Sequence, residues 1–141
     1  MVPDISSALS EHDCTKLFGA LQADLSWQWD SRFATALAEI HIEEKNGIGK
    51  ILENHLGTAW TSGTIDTAPE SVQRILFRLG GIMPGQLLYT AGLPRDGIVF
   101  CAWWPWGNGQ TISIRLGTSQ AGSALLAALA SPPPDNVLPY E

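Results

Sequence analysis

Charged side chains are scarce in this chain. Asp, Glu, Lys and Arg make up 16% of the 141 residues, against about a quarter in an average globular protein. Either a partner covers part of a surface so poor in charge, or the surface is rich in Ser, Thr and Gly. Basic residues are the scarcest, since eight Lys and Arg oppose fourteen acids for a net charge of −6. They form no cluster, which argues against nucleic-acid binding and suits a basic protein partner.

Thiols and long apolar runs are few as well. Cys14 and Cys101 are the only cysteines, and Cys101 falls in a predicted core strand, where a thiolate is disfavoured. No apolar run approaches the roughly 20 residues of a membrane span. Residues 1–4 show neither the basic nor the apolar region of a secretory signal. We therefore expect a cytoplasmic protein that does not associate with membranes.

Known catalytic and metal-binding patterns are missing. The histidines His12, His41 and His55 lack the spacing of a metal motif, and residues 47–50 lack the spacing of a phosphate loop. We predict neither a metal nor a cofactor, and no residue is predicted to be catalytic. If an acid–base pair exists, its candidates are His41, Glu43 and His55, although polar residues on a strand surface explain them more simply.

The residues that are present divide into an arm, one domain and a tail. Residues 1–10 are predicted to be a flexible arm, residues 11–131 a single α+β domain, and residues 132–141 a Pro-rich extended tail. Within the domain, we predict a helix near 11–25, a loop over 57–68, a short strand Gln86–Ala91 and a last helix Ala121–Ala130. The remaining elements are two hairpins and a central helix.

The first hairpin lies in the segment 31–56, which is open to two interpretations. Apolar residues over 33–40 recur at helical spacing. Residues 40–43 alternate instead, and Asn46-Gly47 is a strong signal for a two-residue hairpin turn. Pairing around that turn sets Glu43 opposite Lys50 and Ile42 opposite Ile51, whereas glycines at 47 and 49 would each weaken a helix by about 1 kcal/mol. The hairpin is therefore preferred.

The central helix has the clearest boundaries. Thr67-Ala68-Pro69-Glu70 matches a capping box with proline in the first turn, and Gly80-Gly81 ends the helix. Val72, Ile75, Leu76 and Leu79 form one apolar stripe, while Gln73, Arg74 and Arg78 are predicted to face away.

The tract 99–109 holds three of the six tryptophans and precedes an alternating strand over 111–116. With Asn108-Gly109 as a two-residue turn, Trp103 lies opposite Ile114 and Cys101 opposite Leu116. One face of this second hairpin is then wholly apolar and is predicted to be core; it carries Val99, Cys101, Trp103, Ile112, Ile114 and Leu116.

The other face of the same hairpin is mixed. It carries Trp104 and Trp106 on one strand, and Thr111, Ser113 and Arg115 on the other. Two exposed indoles would form a sizeable apolar patch of the kind that marks interaction sites. Alternatively, the last helix covers both rings.

Together these elements predict the α+β class, with a single antiparallel sheet of about five strands, helices packed on its faces, and the order α-ββ-α-βββ-α. This order is similar to that of roadblock-type and profilin-like adaptors. The small, acidic character is similar to that of secretion chaperones and toxin-immunity proteins. No residue role can be carried over from either resemblance, because fold does not fix function.

The function expected from these features is that of a non-enzymatic protein-binding module of bacterial type, with an immunity, chaperone or adaptor role. It would dock a partner, or a second copy in a homodimer, through its aromatic sheet face, and the expected contact residues are Trp104, Trp106 and Arg115. The alternative is a small-molecule or carbohydrate binder, including an enzyme that uses His41 or Glu43. A deep pocket lined by Trp and polar groups would favour this alternative.

Overall fold

The computed structural model describes residues 16–17, 19–21, 25–30, 32–33, 35–93 and 97–119. The predicted arm 1–10, last helix Ala121–Ala130 and tail 132–141 lie outside these residues. The strands are β1 (Gln28–Asp30), β2 (Thr35–His41), β3 (Thr58–Trp60), β4 (Leu87–Leu93), β5 (Gly97–Pro105) and β6 (Thr111–Thr118). The helices are α1 (Lys45–His55) and α2 (Glu70–Leu79), with 3-10 turns at Ile42–Glu44 and Ile65–Thr67 and further helical residues at 16–17 and 19–21.

All six strands form one antiparallel sheet in the order β1-β2-β6-β5-β4-β3. The predicted α+β class with a single antiparallel sheet is confirmed. The prediction of about five strands was one short, and the predicted element order was partly wrong. The edge strands β1 and β3 have three residues each, which is too short for the alternation that identifies a strand.

Helices cover both sides of the sheet. On the side that we call the α1 face, Ile48 and Leu52 of α1 pack with Leu17 and Leu21 of the first helical segment over the centre of the sheet. The sheet residues beneath them include Ala36, Ala38, Ile40, Val99, Cys101, Trp103, Ile112, Ile114 and Leu116. On the opposite side, the α2 face, Val72, Ile75 and Leu79 pack over Leu88, Ile98, Phe100 and Ala102.

The predicted hairpin around Asn46-Gly47 was wrong. The chain leaves β2 at His41 and forms the 11-residue helix α1, so Glu43 does not pair with Lys50, nor Ile42 with Ile51. The reason is long-range burial: one turn apart on the helix, Ile48 and Leu52 are 4% and 0% exposed against the sheet. Burying such side chains stabilises the helix by about 2 kcal/mol each, which outweighs the cost of its glycines.

The central helix is confirmed as α2, but the capping box is wrong. Pro69 is the N-cap and makes no side-chain capping bond, while the Thr67 hydroxyl donates to the Thr64 carbonyl at 2.7 Å. The helix ends as predicted at Gly80, in the left-handed conformation at φ 92°. Of the three residues predicted to face away, only Arg74 is exposed.

The register of the second hairpin is confirmed, since Trp103 pairs with Ile114 and Cys101 with Leu116. The turn is longer than predicted: the Trp106 N–H donates to the Thr111 carbonyl at 2.8 Å, which leaves residues 107–110 as a four-residue loop. This loop and the predicted two-residue turn are centred on the same bond, so they give the same pairing. All six residues of the predicted core face belong to the α1 face.

Candidate functional site: the aromatic face of the hairpin

The apolar residues that pack between α2 and the sheet form what we call the second apolar cluster, and they cover only part of the α2 face. The strand residues of this cluster lie on β4 and β5, whereas Glu39 and His41 of β2 are exposed on the same side. We call the remaining part the aromatic face; it comprises Leu37, Glu39, His41, Trp104, Trp106, Thr111, Ser113 and Arg115. The strand pairing sets Glu39 opposite Ser113, and Ser113 opposite Trp104.

Arg115 is the buried member of this face. The residue is 7% exposed, and its Nη2 donates to Asp30 Oδ2 at 3.1 Å. Its guanidinium carbon lies 4.6 Å from the centre of the Trp104 ring and 5.0 Å from that of Phe33. Arg115, predicted to contact a partner, therefore holds two aromatic rings and one carboxylate together.

Trp104 is half-buried. Its ring meets Phe33 edge to face, with ring centres 6.0 Å apart and planes at 84°, and it packs against the edge of the second apolar cluster. This contact and the guanidinium of Arg115 hold the ring in place, and part of its surface stays accessible. Trp104 thus belongs both to the core margin and to the aromatic face.

Trp106 is the exposed tryptophan of the aromatic face. It lies just beyond β5 with 44% of its surface accessible, and its Nε1–H donates to Ser113 Oγ at 2.7 Å. Ser113 is 8% exposed, so a nearly buried hydroxyl anchors the indole. The ring is therefore oriented by the fold while much of its surface contacts solvent.

The acid–base candidates of the sequence are not assembled into one site. His41 Nδ1 accepts the Glu43 backbone N–H at 3.2 Å, and Glu44 Oε1 accepts the His41 N–H at 2.9 Å. These bonds cap the 3-10 turn, and the Glu43 carboxylate takes no part in them. His55 is the last residue of α1, about 15 Å along the helix axis from its start, and its Nδ1 donates to the Ile51 carbonyl at 2.9 Å.

A cleft of about 580 Å³ lies where β3 meets the end of α1. Its lining includes Asn54, His55, Thr58, Trp60 and Thr90, and no Asp, Glu, Lys or Arg occurs among the described residues that form it. The Trp60 Nε1–H donates to Thr90 Oγ1 at 3.0 Å. Nothing in the sequence pattern predicted this cleft, because the segment 57–68 was predicted to be a loop without a strand.

Cys101 is inaccessible on the α1 face. The residue is 0% exposed, and burial raises the pKa of its thiol well above the usual range. Burial, followed by the charge of Glu53, also raises the pKa of Tyr89, which pairs with Cys101 across β4 and β5. A protonated, enclosed thiol is a packing residue.

Two further properties concern the described part of the chain. Within it, no three His, Cys, Asp or Glu side chains group closely enough to hold a metal ion. No helix among the described residues has the length and apolar character needed to cross a bilayer.

No family model, characterised protein or solved structure matches this chain.

Proposed function

We propose that this chain is a non-enzymatic protein-binding module that docks a partner, or a second copy of itself, through the aromatic face. The observation that carries the proposal is Trp106, which is 44% exposed and yet fixed by its bond to Ser113. An aromatic ring that is oriented before binding loses little conformational entropy on association. Tryptophan is also among the residues that contribute most to binding at protein interfaces.

The residues below Trp106 support this proposal by giving the surface a rigid base. Arg115 contacts Trp104, Phe33 and Asp30 at the same time. Together with Arg115 on β6, these residues come from three separate segments of the chain, and the contacts leave the Trp104 ring little freedom. A contact surface with locked side chains binds more tightly than an equally large mobile one, because less entropy is lost.

The partner that fits best is a basic protein, because this chain carries a net charge of −6 and complementary charge speeds and directs encounter. We place this activity in the cytoplasm. Immunity, chaperone and adaptor roles would each use such a surface. Neither nucleic acid nor a membrane is part of the proposal.

A second candidate function is the binding of a neutral small molecule or carbohydrate in the cleft beside β3. Its volume of about 580 Å³ falls in the range of small-molecule sites, and its lining combines the Trp60 ring with the hydrogen-bonding groups of Asn54, Thr58 and Thr90. His41 and Glu43, the residues expected to act in this alternative, do not line the cleft. The candidate therefore involves Trp60 and His55 in their place.

Trp106→Ala tests the proposed function, with Trp29→Ala as its matched control. Trp29 is 42% exposed, and its pairing with Ala36 places it on the α1 face. Partners cross-linked to the chain in its native host are identified and purified, and their affinity for both variants is measured. We expect at least tenfold weaker binding by Trp106→Ala, unchanged binding by Trp29→Ala, and folded far-ultraviolet circular dichroism for both.

Two results would overturn the proposal. One is a partner or self-association that Trp106→Ala leaves intact. The other is a small molecule, found by thermal-shift screening, whose binding is lost in His55→Ala and retained in Trp106→Ala. The second result would establish the cleft as the functional site.

A further inference from the structure

The aromatic face repeats one arrangement of side chains, in which a residue of β6 lies diagonally opposite a tryptophan of the β5 side. In the first copy of this arrangement, the β6 residue is Arg115, a cation. Arg115 of β6 pairs with Ala102 of β5. Its guanidinium lies diagonally over Trp104, two residues further along β5, at 4.6 Å from the ring centre. Asp30 supplies the compensating carboxylate at 3.1 Å. In this copy an indole ring and a carboxylate contact the same guanidinium, whose Nε has no hydrogen-bond partner among the described residues.

The second copy lies two residues further along both strands. Ser113 pairs with Trp104 as Arg115 pairs with Ala102, so the diagonal neighbour of Ser113 is Trp106, whose Nε1 is 2.7 Å from the Ser113 hydroxyl. On the other side, β2 places Glu39 directly opposite Ser113. A short serine thus occupies the register position that arginine holds in the first copy.

The ring and the carboxylate of this second copy are both accessible. Trp106 and Glu39 are exposed, and among the described residues no Lys or Arg lies over Trp106 or within ion-pair distance of Glu39. An indole face attracts cations through its quadrupole, and more strongly as they lose water. A neighbouring carboxylate adds direct Coulomb attraction.

We propose that Trp106 and Glu39 bind a cationic side chain of the protein partner, above Ser113. The inference rests on the proposed function and names the group that the aromatic face recognises. Arginine fits better than lysine, because its planar guanidinium stacks on a ring and donates two parallel hydrogen bonds to a carboxylate. In the first copy, Arg115 lies over the Trp104 ring and donates one hydrogen bond to Asp30 Oδ2.

The test is a titration of the full chain with N-acetyl-arginine methylamide, followed by nuclear magnetic resonance at the indole Nε1–H of Trp106. N-acetyl-citrulline methylamide is the matched probe, since it has nearly the same shape and no charge. We expect the arginine probe to shift this resonance and the citrulline probe to bind at least tenfold more weakly. Equal shifts with the two probes would overturn the proposal.

Glu39→Gln tests the carboxylate, with Glu53→Gln as its control. Glu53 is an exposed residue of α1, so both variants remove one negative charge and only one of them alters the aromatic face. We expect Glu39→Gln to weaken binding of the arginine probe about twofold to fivefold, and Glu53→Gln to leave it unchanged. Equal affinities in the two variants, or a Trp106 resonance that no probe shifts, would refute a cation site.

Ser113→Arg tests the register argument directly. The new guanidinium would occupy the second copy as Arg115 occupies the first, so a folded Ser113→Arg should no longer bind the arginine probe. A folded variant that still binds it would contradict the proposal. Because Ser113 is 8% exposed, the Glu39→Gln titration decides the matter if Ser113→Arg does not fold.

The cation site and the docking function can fail separately. If the purified partner loses affinity for Trp106→Ala but binds Glu39→Gln and the native chain equally, docking stands and the cation site is wrong. If Trp106→Ala binds the partner as well as the native chain does, both proposals are wrong.

Discussion

At the scale of single residues, Arg115 shows how a charge can be held almost without solvent. A buried guanidinium is costly unless a carboxylate and further contacts compensate its lost hydration. Asp30 provides the carboxylate from 85 positions away in the sequence, and the ring centres of Trp104 and Phe33 lie 4.6 and 5.0 Å from the guanidinium carbon. Removing the Asp30 carboxylate alone should therefore destabilise the fold more than removing both the Asp30 and Arg115 charges.

Asp30→Asn should lower the free energy of unfolding by about 2 to 3 kcal/mol, because it leaves the Arg115 charge without its carboxylate. The double variant Asp30→Asn with Arg115→Met should lose less than the sum of the two single changes. Urea unfolding of the four proteins measures the coupling. As a control, Glu70→Gln removes an ion pair whose side chains are 77% and 78% exposed, and it should cost under about 0.5 kcal/mol. Additive effects at Asp30 and Arg115 would show that the pair contributes nothing.

A second residue-scale prediction concerns Cys101 and alkaline pH. Burial raises the folded-state pKa of its thiol, whereas the unfolded chain titrates near pH 8.5. Stability from this group is therefore complete below about pH 8.5 and is lost as pH rises further, at about 1.4 kcal/mol per pH unit. Urea unfolding between pH 7 and 10 should show a shallower decline for Cys101→Ala than for the native chain. Equal slopes would mean that the thiol titrates alike in both states.

At the scale of elements, the two segments predicted as hairpins show what sequence pattern can and cannot determine. The pairing of β5 with β6 was predictable, because one alternating face carries six apolar residues and any symmetric turn about residues 108–109 gives the same register. The segment 31–56 carries an equally strong turn signal at Asn46-Gly47. It became a helix because burial against distant strands outweighed that local preference.

The candidate site was predictable to the same extent. Strand alternation placed Trp104 and Trp106 on the face opposite the core, and Trp106 is exposed there. Strand alternation could not show that Arg115 is buried, since the residues that contact its guanidinium, Asp30 and Phe33, come from the end of β1 and the turn that follows it. Such contacts depend on which strands are neighbours, and β1 was not recognised as a strand.

Gly47→Ala distinguishes the helix α1 from the predicted hairpin. A Cβ at Gly47 meets nothing within 4 Å, and alanine is favoured over glycine inside a helix by about 1 kcal/mol. The thermal unfolding midpoint should therefore rise, with unchanged or greater helical circular dichroism. In a two-residue hairpin turn, position 47 would need a positive φ that alanine adopts poorly. A fall in the midpoint would consequently contradict the helix.

At the scale of the whole molecule, one strand joins the two apolar clusters. Alternate residues of β5 point to opposite sides of the sheet. The apolar cluster of the α1 face contains Val99, Cys101 and Trp103, and the apolar cluster of the α2 face contains Ile98, Phe100 and Ala102. Neither cluster can lose its packing without disturbing a strand that the other needs. The described part of the chain should therefore unfold in one cooperative transition, as single domains of this size usually do.

Leu52→Ala and Ile75→Ala test this cooperativity from the two sides of the sheet. The residues are 0% and 3% exposed in different clusters, and each substitution should lower the free energy of unfolding by about 2 to 4 kcal/mol. Tryptophan fluorescence and far-ultraviolet circular dichroism should give coincident urea transitions in both variants, because Trp103 reports on one cluster and Trp104 on the other. Phe77→Ala is the control, since Phe77 is 89% exposed and its loss should change stability by less than about 0.5 kcal/mol. If Ile75→Ala separated the two signals, the clusters would unfold independently, and the aromatic face could lose its rigid base while the α1 face stayed folded.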